Sequence, residues 1–175
     1  MVNGEFELIR NLSYASVGLQ NGIPKGVLSA TSTVVRDGRE FNISLLAGKD
    51  GPEVLPPAEI VFVNYDENRP RIIDFKAKWE IDSFEYINTV REFPGKKINN
   101  HLATNLKEAA LSCWHLFSLK GYARVDVRTD NNDNVFVIEI NGNPCISPDG
   151  GFVAATKEAG YPFTDVLQRI INDLN

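Results

Sequence analysis

The sequence is poor in the residues that bind soft metals or staple small domains. It holds two cysteines, Cys113 and Cys145, and two histidines, His101 and His115, in 175 residues. Their spacing does not supply the four ligands of a usual zinc site, and two thiols make no disulfide framework. Both cysteines read as reduced thiols, which points to the cytoplasm. Long apolar runs are missing too. Those present are as short as residues 43–47, with Ser44 inside, against the ~20 residues a membrane helix needs. No basic segment followed by an apolar stretch opens the chain, so no signal peptide is expected. Positive charge is in deficit, with 18 Lys and Arg against 23 Asp and Glu and a net charge of −5. Without a basic tract, nucleic acid is not an expected partner. Internal repeats and low-complexity segments are absent.

What remains is the balance of a globular domain. Apolar residues make up 43% and charged residues 23%, enough for one domain with a core of its own. Residues 5–9 and 27–35 read as short strands, separated by a loop containing Ser16, Gly18, Gly22 and Pro24. From Phe41 to Leu46 the residues Phe41, Ile43 and Leu45 alternate with Asn42 and Ser44, a half-buried strand. Asp37-Gly38 before it is a turn signal, which predicts a hairpin from Val34 to Leu46. Residues 59–63 form another apolar run. Residues 64–98 are charged and lack long apolar patterns, and read mostly as loop, in the manner of a mobile lid over about 64–98.

Two helices are expected. One runs from about Asn100 to Lys120, with Leu102, Leu106, Ala109, Cys113, Leu116 and Phe117 recurring at three and four and Gly121 ending it. The other starts near Thr164 as N-cap and buries Val166, Leu167, Ile170, Ile171 and Leu174. Between them lie two strands, Tyr122–Arg128 and Asn134–Asn141, joined by a turn-rich segment. The element order predicts an α+β fold with a largely antiparallel sheet and flanking helices.

The two strands carry the chemistry. Side chains alternate faces with period two, so Arg124, Asp126 and Arg128 share one face of the first strand. On the second, Phe136, Ile138 and Ile140 form the apolar set, and Val135, Val137, Glu139 and Asn141 the opposite one. A four-residue loop, Asn131 to Asn134, pairs Asp130 with Val135, Arg128 with Val137, Asp126 with Glu139 and Arg124 with Asn141. Two carboxylates then face each other about 5 Å apart at Cβ. They repel unless one holds a proton, an arginine compensates, or a cation bridges them. Asn141 adds a carboxamide oxygen on the same face. Two carboxylates and an amide oxygen suit magnesium or manganese rather than zinc. Beside them, Arg124 can stabilise charge on a transferring phosphoryl group. The plain structural alternative is a solvated strand face laced by Arg124–Asp126 and Glu139–Arg128 ion pairs.

The strings 121–126, GYARVD, and 137–144, VIEINGNP, resemble the C-terminal signature of D-alanine–D-alanine ligases and their ATP-grasp relatives. The resemblance implies an ATP-grasp fold and an ATP- and Mg-dependent carboxylate–amine ligase acting through an acyl phosphate. It implies that Asp126, Glu139 and Asn141 hold magnesium ions that bridge ATP phosphates. It gives Arg124 the role of steadying the acyl phosphate and tetrahedral intermediates. Residues 147–152, SPDGGF, resemble the family loop that holds the substrate carboxylate, which implies substrate contacts at Gly150 and Gly151. Residues 38–43, GREFNI, resemble the strand whose glutamate binds the ATP ribose, implying Glu40. Residues 74–79, DFKAKW, resemble the lid loop whose lysine reaches ATP phosphates, implying Lys78. Residues 15–19, ASVGL, resemble the small-residue loop over the phosphates, implying Ser16.

The resemblance further implies that residues 1–46 are the remainder of a nucleotide-binding subdomain and 47–175 the catalytic subdomain. The family's N-terminal domain and the first half of its nucleotide-binding subdomain have no counterpart in this sequence. The phosphate-binding lysine falls on Ile9 or Arg10, and the acid that reads adenine on Thr33 or Val34. The implied partners are ATP and a small carboxylate and amine, with a homo-oligomer or a separate N-terminal half as further possibilities. Three readings stand at this point: a ligase, a non-catalytic fragment that at most binds metal and nucleotide, or an interaction module that self-associates through exposed apolar surface.

Overall fold

In the computed structural model, residues 17–20, 23–27, 38–66, 69, 71–73 and 75–174 are described. Among them eight strands form one sheet: β1 (Val17–Gln20), β2 (Ile23–Val27), β3 (Glu40–Leu46), β4 (Glu53–Val54), β5 (Ala58–Phe62), β6 (Thr89–Glu92), β7 (Tyr122–Thr129) and β8 (Val135–Asn141). Their order is β2-β1-β8-β7-β3-β5-β6, with β4 also on β3. Every pairing is antiparallel, as the element order predicts. The helices are α1 (Phe75–Trp79), α2 (Phe84–Asn88), α3 (Asn100–Leu116), α4 (Gly151–Glu158) and α5 (Phe163–Leu174).

Alternation along β3 and β7 splits the molecule into two cores and one polar surface. Phe41, Ile43 and Leu45 point to one side with Ala123, Val125 and Val127. There they meet Leu102, Leu106, Ala109, Ala110, Cys113 and Trp114 of α3. These α3 residues recur at three and four, which places them on one stripe. Asn99 caps this helix by accepting the Leu102 N–H at 2.8 Å, satisfying one of its orphan donors. On the other side of the sheet, Leu46 packs with Leu55, Phe152, Val153, Ala155, Val166 and Ile170, and Tyr122 packs against the same cluster. The helices α4 and α5 therefore cover only one end of that face. Its other end carries the polar residues of β3 and β7.

Several expectations need correction. Residues 17–20 and 23–26, read as part of a loop, lie in the paired strands β1 and β2, and β1 also pairs with β8. The predicted strands over 5–9 and most of 27–35, and the turn at Asp37, lie outside the described residues. The stretch 64–98 is less loop-like than its charge suggests, since it contains α1, α2, β6 and a turn of 3-10 helix at 95–97. The α1 and α2 helices have five residues each, too few to display a helical period. The long helix stops at Leu116, not Lys120. Ser118 takes a left-handed φ of 48°, and Gly121, at φ 67°, turns the chain into β7. The last helix begins at Phe163, so Thr164 sits inside its first turn. Of its five expected core residues, Val166 and Ile170 are buried, whereas Ile171 and Leu174 are 54% and 59% exposed.

The hairpin register is half as expected. Arg124 pairs with Asn141 and Asp126 with Glu139, but Val127 pairs with Val137, Arg128 with Phe136 and Thr129 with Val135. Ile138 is the extra residue of a bulge between Asp126 and Val127. The loop at the tip is five residues long rather than four, and the bulge compensates for it. The alternation on β8 therefore breaks at Ile138. Val135 and Val137 join the α3 core with Ile140 packed against it, in place of the expected set Phe136, Ile138 and Ile140.

Candidate functional site

The polar surface is built by pairing three strands in register. Across β3 and β7, Glu40 faces Arg128, Asn42 faces Asp126 and Ser44 faces Arg124. Across β7 and β8, Asp126 faces Glu139 and Arg124 faces Asn141. Period two puts all of these on the face that α3 does not cover. The surface grades along the strands from Leu46 and Tyr122, under α4 and α5, to Glu40 and Arg128.

Asp126 is the hub. Its Oδ1 accepts Arg124 Nε at 2.7 Å and its Oδ2 accepts Arg124 Nη2 at 2.8 Å. Asn42 Nδ2 donates to Oδ1 at 2.8 Å. The Arg124–Asp126 pair of the structural alternative is thus present. Burial works against the Arg124 charge, but the Asp126 hydrogen bond, with the charges of Asp126, Glu139 and Cys145, raises its pKa further above the usual range. Glu139 is exposed, and among the described residues no donor reaches its carboxylate. Asn141 Oδ1 accepts the Asn143 N–H at 3.0 Å. The expected Glu139–Arg128 pair does not form. Arg128 lies opposite Phe136 because of the bulge, and its Nη1 stands 3.6 Å from Glu40 Oε2. It also donates to the Arg71 carbonyl.

Glu40 is buried. Burial pushes its pKa up to about 7; Arg128 and Lys78 pull it down, and the charge of Asp126 adds to the rise. Lys78 itself lies exposed on α1, near enough for its charge to act on Glu40. Ser16, Ile9, Arg10, Thr33 and Val34 lie outside the described residues.

Gly150 and Gly151 begin α4. A Cβ on Gly150 would fall 2.6 Å from the Cys145 carbonyl oxygen, so only glycine fits this turn. A Cβ on Gly151 would lie 3.5 Å from Arg124 Nη1 and 3.5 Å from Arg91 Nη2. The substrate loop predicted from sequence therefore reaches the arginine of the hairpin. Sequence reasoning missed Asn42 and Arg91. Asn42 had a signal, as a carboxamide on an alternating strand, but not the identity of its neighbour. Arg91 had none.

The site offers three oxygen-bearing side chains, two carboxylates and one carboxamide. Asp126 and Glu139 face each other, and Asn141 is two residues along from Glu139 on the same strand. No group of three His, Cys, Asp or Glu stands together among the described residues, so the carboxamide is needed to complete the set. A carboxylate has about four lone-pair positions, which leaves Asp126 capacity beyond its three hydrogen bonds. The donor set fits a hard divalent cation.

Comparison with known proteins decides the family. The family profile for the D-ala D-ala ligase C-terminus matches residues 31–172.

The chain belongs to this family.

A protein termed y4sG from Sinorhizobium fredii is 30% identical over 136 residues, which are 78% of this chain and 38% of that protein. The D-alanine–D-alanine ligase of Pelotomaculum thermopropionicum is 30% identical over 134 residues, 77% of this chain and 38% of the ligase. This D-Ala-D-Ala ligase C-terminal chain thus spans under two fifths of the curated relatives it matches. The fold agrees with solved structures. The Bacillus anthracis D-alanine–D-alanine ligase complexed with ATP has a TM-score of 0.58 at 20% identity, covering 78% of this chain and 39% of that one. The D-alanyl-alanine synthetase A of Vibrio cholerae has a TM-score of 0.60 at 16% identity, covering 79% and 39%. The α+β class expected from the element order and the ATP-grasp fold implied by the hairpin strings are therefore those of this chain. No helix among the described residues is long and apolar enough to cross a membrane.

Proposed function

We propose that this chain contributes the metal- and acyl-phosphate-binding half of an ATP-dependent carboxylate–amine ligase. The observation that carries the reading is the register that sets Asp126 opposite Glu139 with Asn141 on the same strand. Asp126, Glu139 and Asn141 would hold magnesium or manganese. A bound divalent cation supplies neutralisation of phosphate charge during phosphoryl transfer.

The chain's own residues supply position and charge. Arg124 lies beside the acids and stabilises negative charge on the activated carboxylate. The family resemblance gives Lys78 the phosphates of ATP and Glu40 its ribose hydroxyls. The turn at Gly150 and Gly151, whose Gly150 N–H is held by the Ser147 carbonyl at 2.8 Å, opens α4 and orients a substrate carboxylate at the positive end of the helix. Holding carboxylate, amine and nucleotide together lowers the entropic part of the barrier. The activity takes place in the cytoplasm, as the reduced cysteines suggest.

The test is release of phosphate from ATP by the full chain, with magnesium, a D-amino-acid panel as amine and acid, and the variants Asp126→Ala and Glu139→Ala. We expect amine-dependent release that falls at least about 100-fold in either variant. Equal rates in wild type and variants would reject the reading.

A second reading is metal–nucleotide binding without turnover. It is favoured by the 38% of the relatives' length that the match covers. Calorimetry separates the two: magnesium-dependent ATP binding with no phosphate release supports the second.

A further inference from the structure

The strongest unexplained relationship outside the metal set is between two arginines from different strands. Arg91 lies on β6 and Arg124 on β7. They are not neighbours in the sheet, since β3 and β5 stand between these strands. Yet Arg91 Nη2 and Arg124 Nη1 each come within 3.5 Å of one point, the position of a Cβ on Gly151. Two guanidinium groups brought to one place repel each other. The repulsion leaves a mark on Arg91, whose pKa is lowered first by burial and then by Arg124.

Protein groups answer this charge unequally. Arg124 has the Asp126 carboxylate, bound through two nitrogens. Arg91 has one hydrogen bond, from Nη1 to the Asp149 carbonyl at a long 3.4 Å. Among the described residues it makes no ion pair; the Asp149 carboxylate acts on it only from a distance. Glycine at 151 keeps the space between the two guanidinium groups clear of a side chain.

We infer that Arg91 and Arg124 form a two-guanidinium clamp for a doubly charged head group on the substrate, a phosphoryl group or two neighbouring carboxylates, rather than for a lone carboxylate. A guanidinium fork presents parallel donors to a pair of oxygens. One carboxylate fills one fork. Arg124 spends its Nε–Nη2 side on Asp126 and presents its Nη1, as Arg91 presents its Nη2, to one point; two guanidinium ends meeting there suit an anion with more oxygens than a lone carboxylate. The assignment of this anion to the substrate rests on the proposed function; its binding does not. Arg91 is then the residue that sets which acid or amine enters.

The experiment is calorimetric titration of the full chain with acetate, malonate and inorganic phosphate, without magnesium or nucleotide. At least one of malonate and phosphate should bind about tenfold or more tightly than acetate. The tighter of the two identifies the head group as dicarboxylate or phosphoryl. In Arg91→Gln the preference over acetate should fall to about twofold or less. Arg91→Lys, which keeps the charge, serves if the glutamine variant does not fold, and should retain a reduced preference because an ammonium is a point charge. Wild-type protein with no preference for either dianion, or an undiminished preference in both variants, overturns the inference. Separate titration with Mg–ATP keeps the two ideas apart. Failure of that titration beside an Arg91-dependent dianion preference would reject the ligase reading and leave the clamp intact.

Discussion

Arg124 grips both carboxylate oxygens of Asp126, two residues further along the same strand, at 2.7 and 2.8 Å. The two lie on one face because strand side chains alternate. The arginine thereby neutralises an acid that also faces Glu139. It does for Asp126 what a bound cation would do under the proposed function.

Replacing Arg124 by glutamine tests whether the arginine and a divalent cation compete for the Asp126 oxygens. Loss of a charged hydrogen-bonding partner from a part-buried carboxylate costs about 1–3 kcal/mol. We expect R124Q to lose stability of that order in cation-free buffer and to recover more of it with magnesium than wild type does. Urea unfolding with and without millimolar magnesium measures both. Equal magnesium protection of the two proteins would show that arginine and cation do not compete.

Glu40 makes stability depend on pH in an uncommon direction for an acid. Its folded pKa is pushed up to about 7 by burial, from 4.5. The folded chain therefore holds a proton that the unfolded chain releases. Its contribution to stability is present below pH 4.5 and is lost as pH rises towards 7. The size is on the order of 3 kcal/mol. The variant E40Q should lack this downward slope and be the more stable protein at pH 8. Urea midpoints at half-unit steps from pH 4 to pH 8 test it, and an identical slope in E40Q would contradict the assignment.

Gly38 is held against the opposite strand. A Cβ there would lie 1.6 Å from the Thr129 carbonyl oxygen, so a methyl group forces β3 and β7 apart beside the Glu40–Arg128 pair. Gly38→Ala should cost about 1–3 kcal/mol, as overpacking does. It should also lower the Glu40 pKa, because separation of the strands admits water. Denaturation gives the first quantity, and carboxyl-resolved NMR titration the second. A variant as stable as wild type would mean that the strand end shifts freely.

The sequence made the site legible where chemistry and period coincided. Arg124 and Asp126 alternate with Ala123, Val125 and Val127, so their shared face followed from period two. The pairing of Asp126 with Glu139 followed too, but by a route that needed two compensating steps. The tip composition announced a turn without fixing its length. In the fold Asp130 accepts the N–H groups of Asn132 and Asn134 at 2.8 and 2.9 Å, which closes a five-residue loop. Ile138 then absorbs the difference. A bulge leaves little trace in apolar pattern, because valine and isoleucine fit either face of β8. Partners distant in sequence were the least legible. Asn42 and Asp126 are 84 positions apart, and Arg91 is 58 from Asp149. No local periodicity encodes which side chains such strands bring together. The partial exposure of Ile171 and Leu174 was hidden for the same reason: the apolar stripe of α5 is wider than the surface it covers.

The bulge at Ile138 has a further consequence for how this hairpin tolerates change. One extra residue insulates the distal ribbon from the half that carries the acids. The exposed tip can take another turn while Asp126 stays held by its pairing with Asn42 on β3 and Glu139 by its pairing with Asp126. Change is therefore tolerated at the exposed tip, at Asn131, Asn132 and Asn134, and is constrained where Arg128, Thr129, Val135 and Phe136 are buried.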